Sequence, residues 1–179
     1  MIKKILLSVV ALVAVLVVGV LGLAATKPDT FVVERSATIN ATPETVYALL
    51  SDFHQWEAWS PWEKLDPAMK RTYEGAPSGV GAAYAWEGND KAGKGRMEIS
   101  EAVAPSKVVI KLNFIVPFEA HNLTEFTLTP DGEAQKLTWK MSGPQPFVAK
   151  VMCVFMDMDA MIGKDFEGGL AALKAIAEK

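Results

Sequence analysis

The stretch "ATINATPETVYALLSDFHQWEAWSPW", residues 37–62, decides the fold by carrying three signals in a fixed order. It begins inside an alternating segment, "FVVERSATIN", where Val33, Arg35, Ala37 and Ile39 interleave with Val32, Glu34, Ser36 and Thr38. That period of two, with several β-branched residues, marks a strand. A helix start follows at once. Thr42 can accept from exposed first-turn amides, Pro43 suits the first helical position, and Glu44 complements the helix dipole. Val46, Leu49, Leu50 and Phe53 then fall at i, i+3, i+4 and i+7, one buried face. Where that helix ends, Trp56, Trp59 and Trp62 crowd together, and a second short helix is expected to stop before Pro61.

Downstream, from Lys70 to Ser142, the period is two throughout. "MKRTYEG", "GAAYAWEG", "GRMEISEAV", "KVVIKLNFI", "NLTEFTLTP" and "AQKLTWKMS" are each bounded by Gly, Pro, Asn or Asp, as in an antiparallel meander. Alternation assembles one apolar face from Ala82, Tyr84, Trp86, Met97, Ile99, Val108, Ile110, Leu112, Phe114, Asn122, Thr124, Phe126, Leu128, Leu137, Trp139 and Met141. Lys111, Glu125, Lys136, Thr138 and Lys140 fall on the opposite, wet face, and so do Arg96 and Glu98. From Phe147 to Glu178 an apolar stripe at helical spacing runs through Val148, Met152, Phe155, Ile162, Phe166, Leu170 and Leu173. Gly163, Gly168 and Gly169 predict close packing or a kink between 156 and 169.

Upstream, "MIKKILLSVVALVAVLVVGVLGLAA" is uncharged from Ile5 to Ala25, the length a helix needs to cross a bilayer core of ~30 Å at ~1.5 Å per residue. Gly22-Leu23-Ala24 also fits a cleaved signal peptide, but a secretory apolar region is shorter, ~7 to 15 residues. A retained anchor is therefore the expectation. Lys3 and Lys4 place the N-terminus on the cytoplasmic side, a bias that Lys27 slightly weakens. The chain then divides into an anchor at 1–25, a linker at 26–30 and a domain at 31–179. That domain is expected on the periplasmic side of an inner membrane, if the host is Gram-negative.

Removing Lys3 and Lys4 leaves 16 basic residues against 21 acidic ones, a net −5 that repels phosphate backbones and excludes a nucleic-acid partner. Cys153 is the only cysteine, so no internal disulfide and no Cys-rich zinc site can form.

One strand, two short helices, six antiparallel strands and a long C-terminal helix make an α+β chain whose sheet can curl around the helix and leave a space between them. The chain resembles the SRPBCC or START-like helix-grip superfamily, in its polyketide cyclase and dehydrase-like branch. The resemblance is carried by the opening stretch, by "GVGAAYAWEGN" and by "FVAKVMCVFMDMDAMIGKDFEGGLAALKAIAE". It implies an interior that holds sterols, lipids, polyketides or similar molecules, with catalysis in only some members.

Met152, Met156, Met158 and Met161 with Cys153 suggest soft copper ligands, but helical spacing scatters them, so they serve as core or as adaptable apolar lining. Asp157, Asp159 and Asp165 miss the calcium-loop pattern, because Ile162 stands where glycine is required. "GNDKAGKG", residues 88–95, misses the phosphate-loop hydroxyl and reads as a hairpin turn. His54 and His121 have no nucleophile beside them. No metal and no cofactor are expected.

The tryptophans either fasten the short helices or touch a ligand. The expected ligand set is Trp59, Trp62, Tyr84, Trp86, Met97, Phe114, Asn122, Thr124, Phe126, Trp139, Met152, Phe155 and Ile162, with Tyr84, Asn122 and Thr124 as orienting polar groups. The expected function is a membrane-anchored binding domain for a hydrophobic small molecule or lipid, with residues 5–25 in the membrane. A cyclase or dehydratase-like enzyme is the alternative, although no acid–base pair faces the predicted interior. The third reading is a structural or stress-related envelope protein whose interior is closed by its own side chains.

Overall fold

The computed structural model describes residues 2–179. Its residues divide into two compact units, one formed by the chain up to Phe31 with Pro144–Met158, the other by Val32–Gly143 with Asp159–Lys179.

The second unit is built on a seven-stranded sheet: β1 (Thr30–Ile39), β2 (Lys70–Gly75), β3 (Ala82–Glu87), β4 (Lys94–Val103), β5 (Lys107–Val116), β6 (Ala120–Asp131) and β7 (Ala134–Pro144). The order β1-β7-β6-β5-β4-β3-β2 is a meander from β2 to β7, with β1 returned beside β7. The register sets Tyr84 opposite Met97, Met97 opposite Leu112, and Leu112 opposite Asn122. Phe126 likewise stands opposite Trp139, and Leu128 opposite Leu137. The face assembled by alternation is therefore the buried one, with Ile99, Ile110, Phe126, Leu137 and Trp139 sealed from solvent. A shift of register lies between Ile99 and Glu101, past Arg96 and Glu98, which keep to the wet face and pair there at 2.8 Å.

Helix α2 (Pro43–Ser51) starts as its residues dictate, with Pro43 in the first turn and the Thr42 side chain accepting from the Thr45 N–H at 3.3 Å. It buries Val46 and Leu50. The expected second short helix is instead three single turns: a 3-10 turn at Phe53–Gln55, α3 (Trp56–Trp59) and a 3-10 turn at Pro61–Lys64. Asp52 restarts the chain by accepting from the His54 N–H at 2.9 Å, and Pro61 interrupts it again.

The C-terminal stripe is also divided. Met156 is extended, at φ −129° and ψ 133°, and separates α4 (Phe147–Phe155) from α5 (Met158–Ala177). The break lies at the edge of the 156–169 window in which the glycines predict a kink, and uninterrupted apolar spacing hid its exact position. α5 buries Phe166, Leu170 and Leu173, and two of its glycines permit close approach. The Arg35 guanidinium of β1 fills the place a side chain at Gly163 would need, and a Cβ on Gly169 would lie 2.8 Å from Cζ3 of Trp139. Arg35 also clamps the first turns of α5, pairing with Asp159 at 2.9 Å and Glu167 at 3.0 Å. The Asp159 carboxyl is thereby held below its usual range, chiefly by the Arg35 hydrogen bond.

The first unit contains α1 (Ile2–Ala25), long and apolar enough to cross a membrane, with mean hydropathy 3.0. α4 packs against it. Within this unit Lys150 is buried, its Nζ 2.6 Å from Asp29 Oδ1, while the Gln145 N–H donates to the Asp29 carbonyl at 2.7 Å.

Candidate functional site

The interior of the second unit is aromatic. Trp59 meets Trp56 at 4.7 Å between centroids, and Trp59 and Phe126 each set an edge or tilted ring against Trp139, at 5.6 and 4.9 Å. Trp139 in turn stacks on Phe166 of α5 at 4.2 Å with 6° between planes, and Trp62 stands edge-on to both. Two of the indoles have a structural role for their polar atom. Trp56 Nε1–H donates to the Leu50 carbonyl at 3.2 Å, and Trp59 Nε1–H to that of Leu49 at 3.1 Å. These carbonyls sit in the last turn of α2, where no further helical N–H follows to claim them. The tryptophan cluster thus terminates the preceding helix as well as filling the interior.

Trp139 differs. Its Nε1–H is buried, and among the described residues no acceptor reaches it. Leaving such a donor unsatisfied costs roughly 1–3 kcal/mol, so the position calls for an acceptor that the described residues do not supply.

A groove of about 280 Å³ opens beside this interior, lined by Phe53, His54, Tyr73, Pro77, Ala82 and Ala83 among others. His54 stacks on Tyr73 at 4.0 Å, and its Nδ1 lies 2.9 Å from Asp52 Oδ1. An ionised carboxylate only accepts, so Nδ1 carries a proton, and in the neutral ring Nε2 is then the accepting nitrogen. Burial raises the Asp52 pKa, but the His54 backbone N–H and ring outweigh it, and the net effect holds this carboxyl below its usual range. Phe53 of the groove reaches Trp56 at 5.2 Å, so a continuous series of rings joins the groove to Trp139.

Behind the groove, Tyr84 touches both Phe53 and Tyr73, at 6.0 and 5.2 Å. Its O–H donates to Glu63 Oε1 at 2.6 Å, and Arg71 Nε donates to Glu63 Oε2 at 2.7 Å. Glu63 is 8% exposed, a carboxylate tolerated inside only because both oxygens are satisfied. Burial first, and the Glu63 hydrogen bond second, push the Tyr84 phenol far above its usual range. Burial likewise raises Tyr73, with Glu63 adding to it.

The expected ligand residues fall into separate groups. Trp59, Trp62, Phe126 and Trp139 meet in the aromatic interior, and Thr124 is buried one register step from Phe126 on the same face. Tyr84, Trp86, Met97 and Phe114 form a second cluster: Trp86 stacks near Tyr84 at 6.1 Å, faces Phe114 at 5.8 Å, and donates its N–H to the Ala92 carbonyl. Asn122 and Ile162 are half-buried on the inner side of β6 and on α5. Met152 and Phe155 belong to α4 in the first unit and are exposed.

His54 is set aside in the sequence for want of a nucleophile beside it, and Asp52, Glu63, Arg71 and Tyr73 are not among the expected site residues. An Asp-x-His at a helix end was the one local signal available, since the Glu63–Arg71–Tyr84 contacts join residues far apart in the chain. Among the described residues no group of three His, Cys, Asp or Glu side chains is placed to hold a metal ion.

A seven-stranded antiparallel sheet with a long C-terminal helix on its buried face and short helices after the first strand defines a helix-grip domain of the SRPBCC class. The chain belongs to the polyketide cyclase/dehydrase and lipid transport family, whose profile matches residues 30–178. It is accordingly a ligand-binding or cyclase-like domain. No curated protein sequence matches the chain significantly. Among solved structures, Aha1 of Colwellia psychrerythraea is similar at 15% identity and TM-score 0.59, over 83% of this chain and 96% of that one. A Chromobacterium violaceum protein is similar at 17% identity and TM-score 0.58, over 86% and 99%. A Mesorhizobium loti protein matches at 21% identity and TM-score 0.57, over 82% and 95%. At these identities the likeness is one of fold.

Proposed function

We propose that this chain is a membrane-tethered binding domain for a hydrophobic small molecule that carries a hydrogen-bond acceptor, taken into the helix–sheet interior of the second unit. The observation that carries this reading is the orphaned Trp139 Nε1–H, buried among Trp59, Trp62, Phe126 and Phe166. Aromatic walls with one placed donor are the composition of a site that takes an apolar body and orients it by a single polar contact. In this proposal the groove at Phe53, His54 and Tyr73 serves as the entrance, because rings in contact run from it to Trp139. The family supports a lipid or polyketide-like ligand. The length of α1 supports tethering, with the domain outside the cytoplasm on the Lys3 and Lys4 charge bias.

The test is native mass spectrometry of the full chain purified gently from its own host, followed by solvent extraction of any retained molecule. A stoichiometric apolar species on the wild type that is lost from Trp139→Phe supports the reading. Equal retention by both forms removes Trp139 from the site, and a chain that retains and rebinds nothing from host extract favours an interior closed by its own rings.

A second reading, a cyclase or dehydratase-like enzyme, is favoured by the Asp52–His54 pair on the groove, because an oriented imidazole with an accepting Nε2 can move a proton. Incubating the recovered molecule with the protein separates the two. Loss of the elements of water or an isomerisation, abolished in His54→Gln, identifies an enzyme, whereas an unchanged molecule identifies a carrier or receptor.

A further inference from the structure

We infer that α4 is a second membrane contact: a short helix lying in the headgroup and acyl boundary of the bilayer, against the C-terminal end of α1. The inference rests on the tethering part of the reading above and extends it to a residue-level surface.

Three observations within the first unit carry it. First, α4 exposes apolar side chains where a soluble helix would expose polar ones. Val148, Met152 and Phe155 lie at i, i+4 and i+7, with Val148 73% and Phe155 72% exposed, and Phe147 and Met156 flank them. A contiguous apolar face of this kind marks an interaction surface. Second, the only charge on the sequence "FVAKVMCVF" is Lys150, and it is turned inward, buried and paired with Asp29 at 2.6 Å. The helix therefore carries no unpaired charge into a region of lower dielectric. Third, the contact with α1 is at the end where a spanning helix leaves the membrane. Ala24 is fully buried and Val20 half-buried, while the other residues of α1 are exposed. At ~1.5 Å per residue α1 is roughly 36 Å long against a hydrocarbon core of ~30 Å. The turn holding Val20 and Ala24 consequently sits near the lipid surface, and α4, which packs on α1, lies at that depth. The occupant of the surface is lipid, because the neighbouring exposed surface of α1 is itself uncharged from Ile5 to Ala25.

The full chain is reconstituted in vesicles of phosphatidylethanolamine and phosphatidylglycerol, in a Cys153→Ser background that keeps an acceptor for Gln145. Nitroxides are attached singly at Val148→Cys, Phe155→Cys, Val13→Cys on α1, and Lys136→Cys on the wet face of β7. Collision with oxygen, which partitions into lipid, is compared with collision with a water-soluble nickel chelate. The expected result is an oxygen-to-nickel ratio at 148 and 155 several-fold above that at 136 and nearer to that at 13. A ratio at 148 and 155 equal to that at 136, with 13 still in lipid, overturns the inference while leaving the anchor in place. Low collision with both reagents at 148 and 155 also overturns it, since the face is then covered by a second copy or another protein. Nickel access at 13 overturns it together with the tethering itself.

Discussion

Trp139 is the residue on which most turns. Its unsatisfied donor costs roughly 1–3 kcal/mol, and replacing the indole with a smaller ring leaves a cavity of comparable cost. Trp139→Phe should therefore leave the urea midpoint within the equivalent of about 1 kcal/mol of wild type while abolishing ligand retention. Glu63 gives the contrasting case. Glu63→Ala strands the Arg71 guanidinium and the Tyr84 hydroxyl behind the groove, and should lower stability by about 2–4 kcal/mol in the same titration. A loss under ~0.5 kcal/mol would mean that the pair is solvated in solution. Tyr84 supplies the pH dependence. Its folded-state pKa is raised, by burial first, so the protonated phenol is the form the fold favours. The associated stability is fully present below the ordinary phenol pKa of about 10 and is lost as pH rises beyond it. Of the three tyrosines, Tyr84 should ionise only together with unfolding in an alkaline absorbance titration, with Tyr73 raised above the ordinary phenol range, and Tyr84→Phe should remove the phenol that unfolding releases. Ionisation of both near pH 10 with the fold intact would contradict the burial argument.

At the scale of the element, the two helix features with clear sequence signals are the start of α2 and the glycines of α5. Thr42→Ala should cost about 1 kcal/mol by removing the cap that accepts from Thr45. Gly168→Ala and Gly169→Ala form a paired prediction. Nothing lies within 4 Å of a Cβ at 168, so alanine there should stabilise α5 by up to ~1 kcal/mol. At 169 the same methyl meets the Trp139 ring at 2.8 Å, and the strain should outweigh the helix gain by about 1–3 kcal/mol. Equal effects at both positions would refute the close packing of α5 on Trp139. Much of this layer was legible in the sequence. The inner face of β3–β7 followed from a period of two, since a one-residue slip would have exposed every apolar side chain. The separation of α4 from α5 was legible only in part: the glycines predict a kink between 156 and 169, but the break falls at Met156, the edge of that window, where Val148, Met152, Phe155, Ile162 and Phe166 keep helical spacing and no Pro or Gly marks the position. The division of residues 53–64 into three turns was not legible, because it depends on the Asp52 side chain bonding the His54 amide.

For the whole molecule, family and fold define a helix-grip domain, and the chemistry of its interior is the part that local pattern could not supply. That Trp56 and Trp59 are engaged by the end of α2 whereas Trp139 lacks an acceptor follows only from long-range packing, since all three are indoles on apolar faces. Whether a bound molecule accepts the Trp139 N–H is read from the indole nitrogen–proton NMR spectrum of the full chain. The Trp139 signal is identified by its absence in Trp139→Phe. The spectrum is taken as isolated from the host and again after solvent stripping. The expected result is a downfield Trp139 N–H in the loaded form that moves upfield on stripping and returns when the extract is added back, with the Trp56 and Trp59 signals nearly fixed. A Trp139 signal unchanged by stripping and by the extract would mean that no bound molecule accepts it.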